Sequence, residues 1–354
     1  MRLPTIRQSP ALQPEELSAV TQRAVDDLLS EGESINTQAS YRSALRYWAA
    51  WFGLRYGRQI DLPLSPACVM QFIVDHAQRT TQSGLAHELP TETDAALVDA
   101  GYKGKPGPLA YTTLVHRIAV LSKAHKMRDA KNPCQDAKVR ELLSRTRKAY
   151  AKRGALPKKQ DALTMDPLQA LLATCDDSLI GTRDRALLYF AWASGGRRRS
   201  EVADADMRFL KKLGPDKFSY VLALSKANQT GEDRPDNEKP VFGKAALALQ
   251  AWLEASGISE GRIFRRIYKG GEIGEALSPG SIRTIVKSRC ALAGIEGTYS
   301  AHSIRSGFVT EASHQQISLA ETMAMTSHKS VATVMGYMRT NMTQSSKVSR
   351  MLDA

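Results

Sequence analysis

Apolar residues recur at helical spacing along the first half of the chain. Tyr41, Leu45, Trp48 and Phe52 stand three or four apart behind a cap at Asn36 or Thr37, which predicts an amphipathic helix. Pro66 opens a second helix to His76, with Val69, Phe72 and Ile73 facing inward. A third is expected over 110–125 through Leu114, Ile118 and Leu121. A fourth follows Asn132-Pro133 and runs to about 151 with the stripe Val139, Leu142, Leu143 and Tyr150. Between them, residues 80–108 hold many Gly, Pro and Thr and predict a long connection around one short helix near 94–99. Residues 1–33 are polar with a single helical pattern over 14–29, expected as a flexible arm.

The periodicity stops at 151–163, where Gly154, Pro157 and the cations Lys152, Arg153, Lys158 and Lys159 predict a basic linker. A second domain, 164–354, starts with helices over 166–174 and 182–193. Phe218–Leu224 is rich in strand formers, and Lys239–Phe242 reads as its antiparallel partner. Helices are expected again over 244–255, 279–292, 331–337 and, as a small amphipathic terminal one, 345–352. The pattern as a whole predicts a mainly α protein, with a helical domain over 34–150 and an α+β domain carrying a small antiparallel β-sheet.

Charge narrows the class. The 354 residues carry a formal net charge of +13, which favours a polyanionic partner, nucleic acid before an acidic membrane. The last helix of the first domain bears Lys138, Arg140, Arg145, Arg147 and Lys148, and with Arg153, Lys158 and Lys159 these are candidate phosphate contacts. Arg197 and Arg199 join them as candidate DNA-binding residues. No apolar run reaches the roughly 20 residues of a membrane span. The first residues lack an apolar signal segment, so no secretion is expected. Cys68, Cys134, Cys175 and Cys290 are scattered and form no CxxC pair, as expected of reduced thiols in a cytosolic protein.

Three stretches carry chemistry: Gly196-Arg197-Arg198-Arg199-Ser200-Glu201, then Leu224-Ser225-Lys226-Ala227-Asn228, then His302-x-x-Arg305 followed by His328 and Tyr337. His302 and Arg305 share a helical face. Together these residues supply cation forks, proton-transfer groups and a hydroxyl nucleophile, a kit suited to attack on a phosphodiester. Two arginines can each fork two N–H donors onto non-bridging oxygens that gain charge in the transition state. A tyrosine hydroxyl, with an ordinary pKa near 10, needs a base or cationic surroundings to attack. His302 is the candidate base and His328 a donor to phosphate. A lysine could serve as general acid for the leaving oxygen, and Lys226, Lys211, Lys212, Lys217 and Lys239 are the candidates. Tyr299 is a rival nucleophile.

The order of these motifs resembles the tyrosine recombinases, or phage integrase family, and within it the two-domain Cre-like members. The resemblance covers about 182–340. It implies Arg198 as the first family arginine, Glu201 as its acidic buttress, Lys226 as the hairpin lysine, His302 and Arg305 as the His-x-x-Arg box, His328 as the second histidine and Tyr337 as the nucleophile. It further implies a site-specific recombinase that clamps duplex DNA and cleaves through a 3′-phosphotyrosine. Strands would be exchanged via a Holliday junction as a homotetramer on two DNA sites, without metal, ATP or other cofactor. A cytoplasmic, nucleoid-associated protein of bacterial or phage origin is expected. A type IB topoisomerase shares the chemistry, a telomere resolvase would turn it to sealing hairpin ends, and a non-catalytic DNA-binding protein would share the fold.

Overall fold

The computed structural model describes residues 35–155, 160–222 and 237–345. They divide into two compact units, before and after the 157/158 boundary. The expected helical pattern at 14–29 lies outside the described residues, as do Lys158, Lys159 and all but the first residue of the pattern at 345–352. No described helix is long and apolar enough to cross a membrane, and the four cysteines are free thiols.

The first unit is built from α1 (Ile35–Tyr56), α2 (Pro66–His76), α3 (Thr91–Asp99), α4 (Tyr111–Met127) and α5 (Ala137–Lys152). Its core gathers Trp48, Trp51, Phe72, Leu97, Leu114 and Val139, with the Trp48 and Phe72 rings stacked 3.7 Å apart. The buried stripe of α1 is Ala44, Tyr47, Trp48, Trp51 and Phe52, shifted from the expected one. Leu45 is 39% exposed and Tyr41 half-buried. The aromatic rings at 47, 48, 51 and 52 therefore fill the core and offer no base-stacking surface. The burial of Tyr47 is made tolerable by pairing: its hydroxyl meets His76 Nε2 at 2.6 Å, and the Arg117 guanidinium lies over its ring. Burial pulls His76 down to about 3, so it stays neutral.

The region 80–108 contains a structure the sequence pattern did not predict, a hairpin of β1 (Arg79–Thr81) and β2 (Gly84–Ala86). Strands of three residues are too short to show alternation. Arg145 and Arg147 of α5 are exposed, as is Lys148; Arg145 pairs with Glu141 one turn back at 2.7 Å. Arg153 differs, since its guanidinium donates to the Gln78 carbonyl at 2.8 Å and stacks on Tyr150.

The second unit surrounds α7 (Leu179–Ala193). Ala186, Leu187, Leu188, Phe190 and Ala191 are all fully buried, which marks a helix packed on several sides. It lies after α6 (Met165–Ala173) and packs on α9 (Lys244–Ser256). One polar group enters this core with compensation: Asp184 accepts from Arg183 and from Arg289 of α10 (Pro279–Leu292). The sheet runs β3 (Leu210–Gly214), β4 (Lys217–Val221), β5 (Glu238–Phe242), all antiparallel, with Tyr220 opposite Lys239. A second hairpin pairs β6 (Arg265–Ile267) with β7 (Ile273–Ala276).

The end of the expected linker belongs to this unit. Asp161 N–H donates to Thr298 and Leu163 N–H to Ser303, and Leu163 is fully buried. Three helices complete the unit: α11 (Ala301–His314), α12 (Leu319–Thr326) and α13 (Val331–Ser345), the last longer than the expected 331–337.

Candidate active site

Several elements of the second unit line one basin. The turn Gly195-Gly196 ends α7 and delivers Arg197 and Arg198 to the start of the short helix α8 (Arg199–Ala203). Both glycines have positive φ, +97° and +66°. At Gly195 a Cβ would overlap the Met325 carbonyl, and at Gly196 it would stand 2.7 Å from the Arg305 Cα. Only backbone without side chains can pass between α11 and the end of α12 here.

Helix α11 starts with a reciprocal cap. Ser300 Oγ accepts from the His302 N–H at 3.2 Å, and Ser303 Oγ accepts from the Ser300 N–H at 3.0 Å. This fixes His302 in the first turn, exposed, and puts Arg305 on the same side one turn later, 2% exposed. The basin is lined by Arg198, Arg199, Ser200, Arg283, His302 and Arg305 and measures about 510 Å³.

The two family arginines are held differently. Arg198 Nη1 contacts Glu201 Oε1 at 2.6 Å, and the same carboxylate accepts from the Arg198 backbone N–H at 3.0 Å. Burial would raise Glu201, but Arg197 and Arg198 outweigh it and keep the acid below its usual range, hence ionised. Arg305 donates through Nε to His328 Nε2 at 3.3 Å, through Nη1 to the Gly196 carbonyl at 3.2 Å, and through Nη2 to the Thr326 carbonyl. Among the described residues these take three of its five N–H groups, and the fork still faces the basin. Burial, then Arg198 and Arg197, bring it down to about 9, so it remains a cation at neutral pH.

Tyr337 projects from α13 with its hydroxyl 3.0 Å from His302 Nε2. Partial desolvation of its ring, then Arg305 and Arg198, lower His302 from its ordinary 6.5. It is therefore neutral at physiological pH and able to accept a proton. His328 is taken down to about 4 by burial and Arg305 first of all. Its Nε2 accepts from Arg305, so Nδ1 carries the proton and donates to Thr326 Oγ1 at 2.7 Å. His328 thus meets Arg305 through one ring nitrogen and Thr326 through the other, and it is neutral. Burial and the adjacent guanidinium are the reason, because each disfavours a charged ring.

Of the expected site residues, Arg198, Glu201, His302, Arg305, His328 and Tyr337 are brought together. Lys226 lies outside the described residues. Among its competitors, Lys211, Lys212 and Lys217 are exposed on β3 and β4, and Lys239 is buried. Tyr299 packs against the core, and burial pushes its hydroxyl up. Arg199 is exposed on the basin rim. Arg197 corrects the expectation of a DNA contact: it is 1% exposed and donates to the Met325 carbonyl at 2.6 Å. Arg305 is as deeply buried but lines the basin; Arg197 does not, and so has no path to a phosphate there.

The phage integrase family model matches residues 161–344, more than half of the chain. The chain belongs to the phage integrase family. An integrase/recombinase XerD homolog of Selenomonas ruminantium is 28% identical over 316 residues, covering 87% of this chain and 83% of that protein. The fold agrees with a lambda integrase dimer bound to a COC′ core site, at TM-score 0.51 and 16% identity over 90% of this chain and 93% of the other. It agrees as well with XerH site-specific recombinase bound to a palindromic difH substrate, at TM-score 0.51 and 13% identity over 88% and 77%. This phage integrase is accordingly a site-specific DNA recombinase of the tyrosine type, which breaks and rejoins DNA strands.

Sequence reasoning missed two parts of this integrase's site. Thr326 holds His328 with its hydroxyl and Arg305 with its carbonyl; its position two residues before His328 was the available signal. Arg283, in the first turns of α10, lines the basin, and nothing in its neighbourhood of the sequence marks it.

Proposed function

We propose that this recombinase cleaves DNA through a 3′-phosphotyrosine formed by Tyr337. The observation that carries the reading is the Tyr337 hydroxyl resting 3.0 Å from the neutral His302 Nε2, beside a basin bearing Arg198 and Arg305. His302 takes the tyrosine proton as the oxygen attacks phosphorus. Arg198 and Arg305 bind the non-bridging oxygens and stabilise the charge that grows there, while Glu201 fixes Arg198 and His328 fixes Arg305. Lys226, by its place in the sequence between β4 and β5, protonates the leaving 5′-oxygen. The phosphotyrosine keeps the energy of the broken bond, so a 5′-hydroxyl of another strand reverses the step and joins it. Two such exchanges on two sites, through a Holliday junction, need four protomers. We assign that tetramer, and recognition of a specific duplex site, to this chain. Exposed Arg145, Arg147 and Lys148 and the rim residue Arg199 would meet phosphates, joined by Lys158 and Lys159.

The test is covalent trapping. A site is selected from randomised duplex DNA on the protein, nicked to block religation, incubated in EDTA and denatured. An EDTA-resistant adduct is expected, and peptide mapping places the nucleotide on the fragment containing Tyr337. Tight binding to the selected site with no adduct would favour the non-catalytic reading.

The pH profile is a separate check. The base must be neutral, and its pKa is lowered, so cleavage persists below pH 6.5 and falls only as pH drops through the depressed value. The acid limb of the single-turnover rate is expected to have its midpoint below 6.5. A midpoint above 6.5 would remove His302 from the role of base.

A further inference from the structure

We propose that Lys239 and Arg197 are positioning residues for strand cleavage, acting by clamping the end of the helix that precedes the nucleophile. Three successive carbonyls close α12, those of Ala324, Met325 and Thr326. Each accepts from a buried cation: Lys239 Nζ at 2.6 Å, Arg197 Nη2 at 2.6 Å and Arg305 Nη2. The last carbonyls of a helix have no partner within it and sit at the negative end of its dipole. One cation there is ordinary; three buried ones on consecutive residues are costly, because each loses its hydration. Lys239 and Arg197 are each 1% exposed and, unlike Arg305, neither lines the basin, so neither is placed to touch a phosphate there.

What the clamp fixes is the turn that follows. Ser327 leaves the helix in the left-handed region, φ 54° and ψ 40°. His328 comes next, seated on Arg305, and Ser330 then starts the helix bearing Tyr337. An α12 end that shifted by a fraction of an ångström would move His328 off Arg305 and Tyr337 off His302. The clamp also links two parts of the site. Lys239 lies on β5 and the segment joining β4 to β5 contains Lys226, so one ammonium ties the strand pair of the proposed acid to the helix pair of the proposed nucleophile.

This inference rests on the reading of Tyr337 as nucleophile, and its test separates the two. Wild type, Lys239→Met and Lys239→Gln are compared on the selected nicked duplex and on the same duplex with sulfur at the bridging 5′ position. A thiolate leaves without needing a proton, so that substrate restores a lost general acid and nothing else. Lys239→Met is expected to bind the duplex within about twofold of wild type and to cleave on the order of 100-fold more slowly, the scale of a slight misplacement. Lys239→Gln, which keeps an N–H for the Ala324 carbonyl, should recover part of the rate. The sulfur substrate should leave the Lys239→Met deficit unchanged. Wild-type rates in Lys239→Met would overturn the inference, as would rescue by sulfur, which would make Lys239 the acid. Failure of both variants to fold would assign Lys239 to stability alone and overturn it too. If wild type itself formed no Tyr337-dependent adduct on either duplex, the proposed nucleophile would be at fault instead.

Discussion

Tyr337→Phe is expected to abolish the covalent protein–DNA adduct, slowing cleavage on the order of 10⁴-fold or more, as loss of a nucleophile does. The protein should remain folded and bind its site. The substitution removes one atom, the hydroxyl oxygen that meets His302 Nε2. It keeps the ring, which packs against the small cluster of Val309, Val334 and Met338 and lies about 6 Å from the rings of His302 and His328. Because His302 is exposed, its lost partner is replaced by water, and the change in stability should stay within about 1 kcal/mol. Adduct yield on the nicked duplex and a binding titration read the two effects separately. An adduct that survives would send the search for the nucleophile to Tyr299. Loss of binding together with cleavage would make Tyr337 a packing residue.

Gly307→Ala should destabilise the second unit by about 3 kcal/mol or more, at the upper end of overpacking costs. In an exposed helix interior the same change would gain about 1 kcal/mol, since alanine is the better helix former. Packing reverses the sign. Gly307 lies on the face of α11 that carries Ser303 and Ser306, all buried. A Cβ there would stand inside the carbonyl group of Leu163, whose own N–H donates to the Ser303 carbonyl. That neighbour is backbone, held in place by the fully buried Leu163 side chain, and cannot swing away as a side-chain tip would. At about 2–4 °C per kcal/mol for a unit of this size, thermal unfolding should shift down by about 6–12 °C. An unchanged or higher melting temperature would mean that the 160–163 segment is free to move from α11. Cleavage should suffer in parallel, because α11 holds both His302 and Arg305.

The sequence told most where side-chain chemistry and backbone period agree. Phe218-Ser219-Tyr220-Val221 is rich in strand formers, and it lies in β4. Pro66 and His76 bound α2, and Pro279 and Leu292 bound α10, as their punctuation predicted. His302, Arg305, His328 and Tyr337 could be singled out because their types and order match the integrase pattern, and the structure brings them together. Direction was harder to read. In Arg197-Arg198-Arg199 three identical side chains point to the core, to the basin and to its rim, and a run of arginines carries no mark of which is which. The α1 stripe was displaced for a related reason: Tyr41 and Leu45 fit the helical period as well as Ala44 and Tyr47 do, and only the packing of α4 and α2 decides between them. The hairpins β1–β2 and β6–β7 are too short for any period, and residues 160–163 look like linker because their partners are more than 130 positions away.

The Tyr337 hydroxyl and His302 Nε2 lie within hydrogen-bond distance inside one and the same chain. On the proposed reading, nucleophile and base meet without help from a second protomer, and their approach adds no ordering penalty to cleavage. Timing would then be governed by when a scissile phosphate is presented between Arg198 and Arg305. Restraint in such a recombinase would rest on the DNA geometry that completes the site.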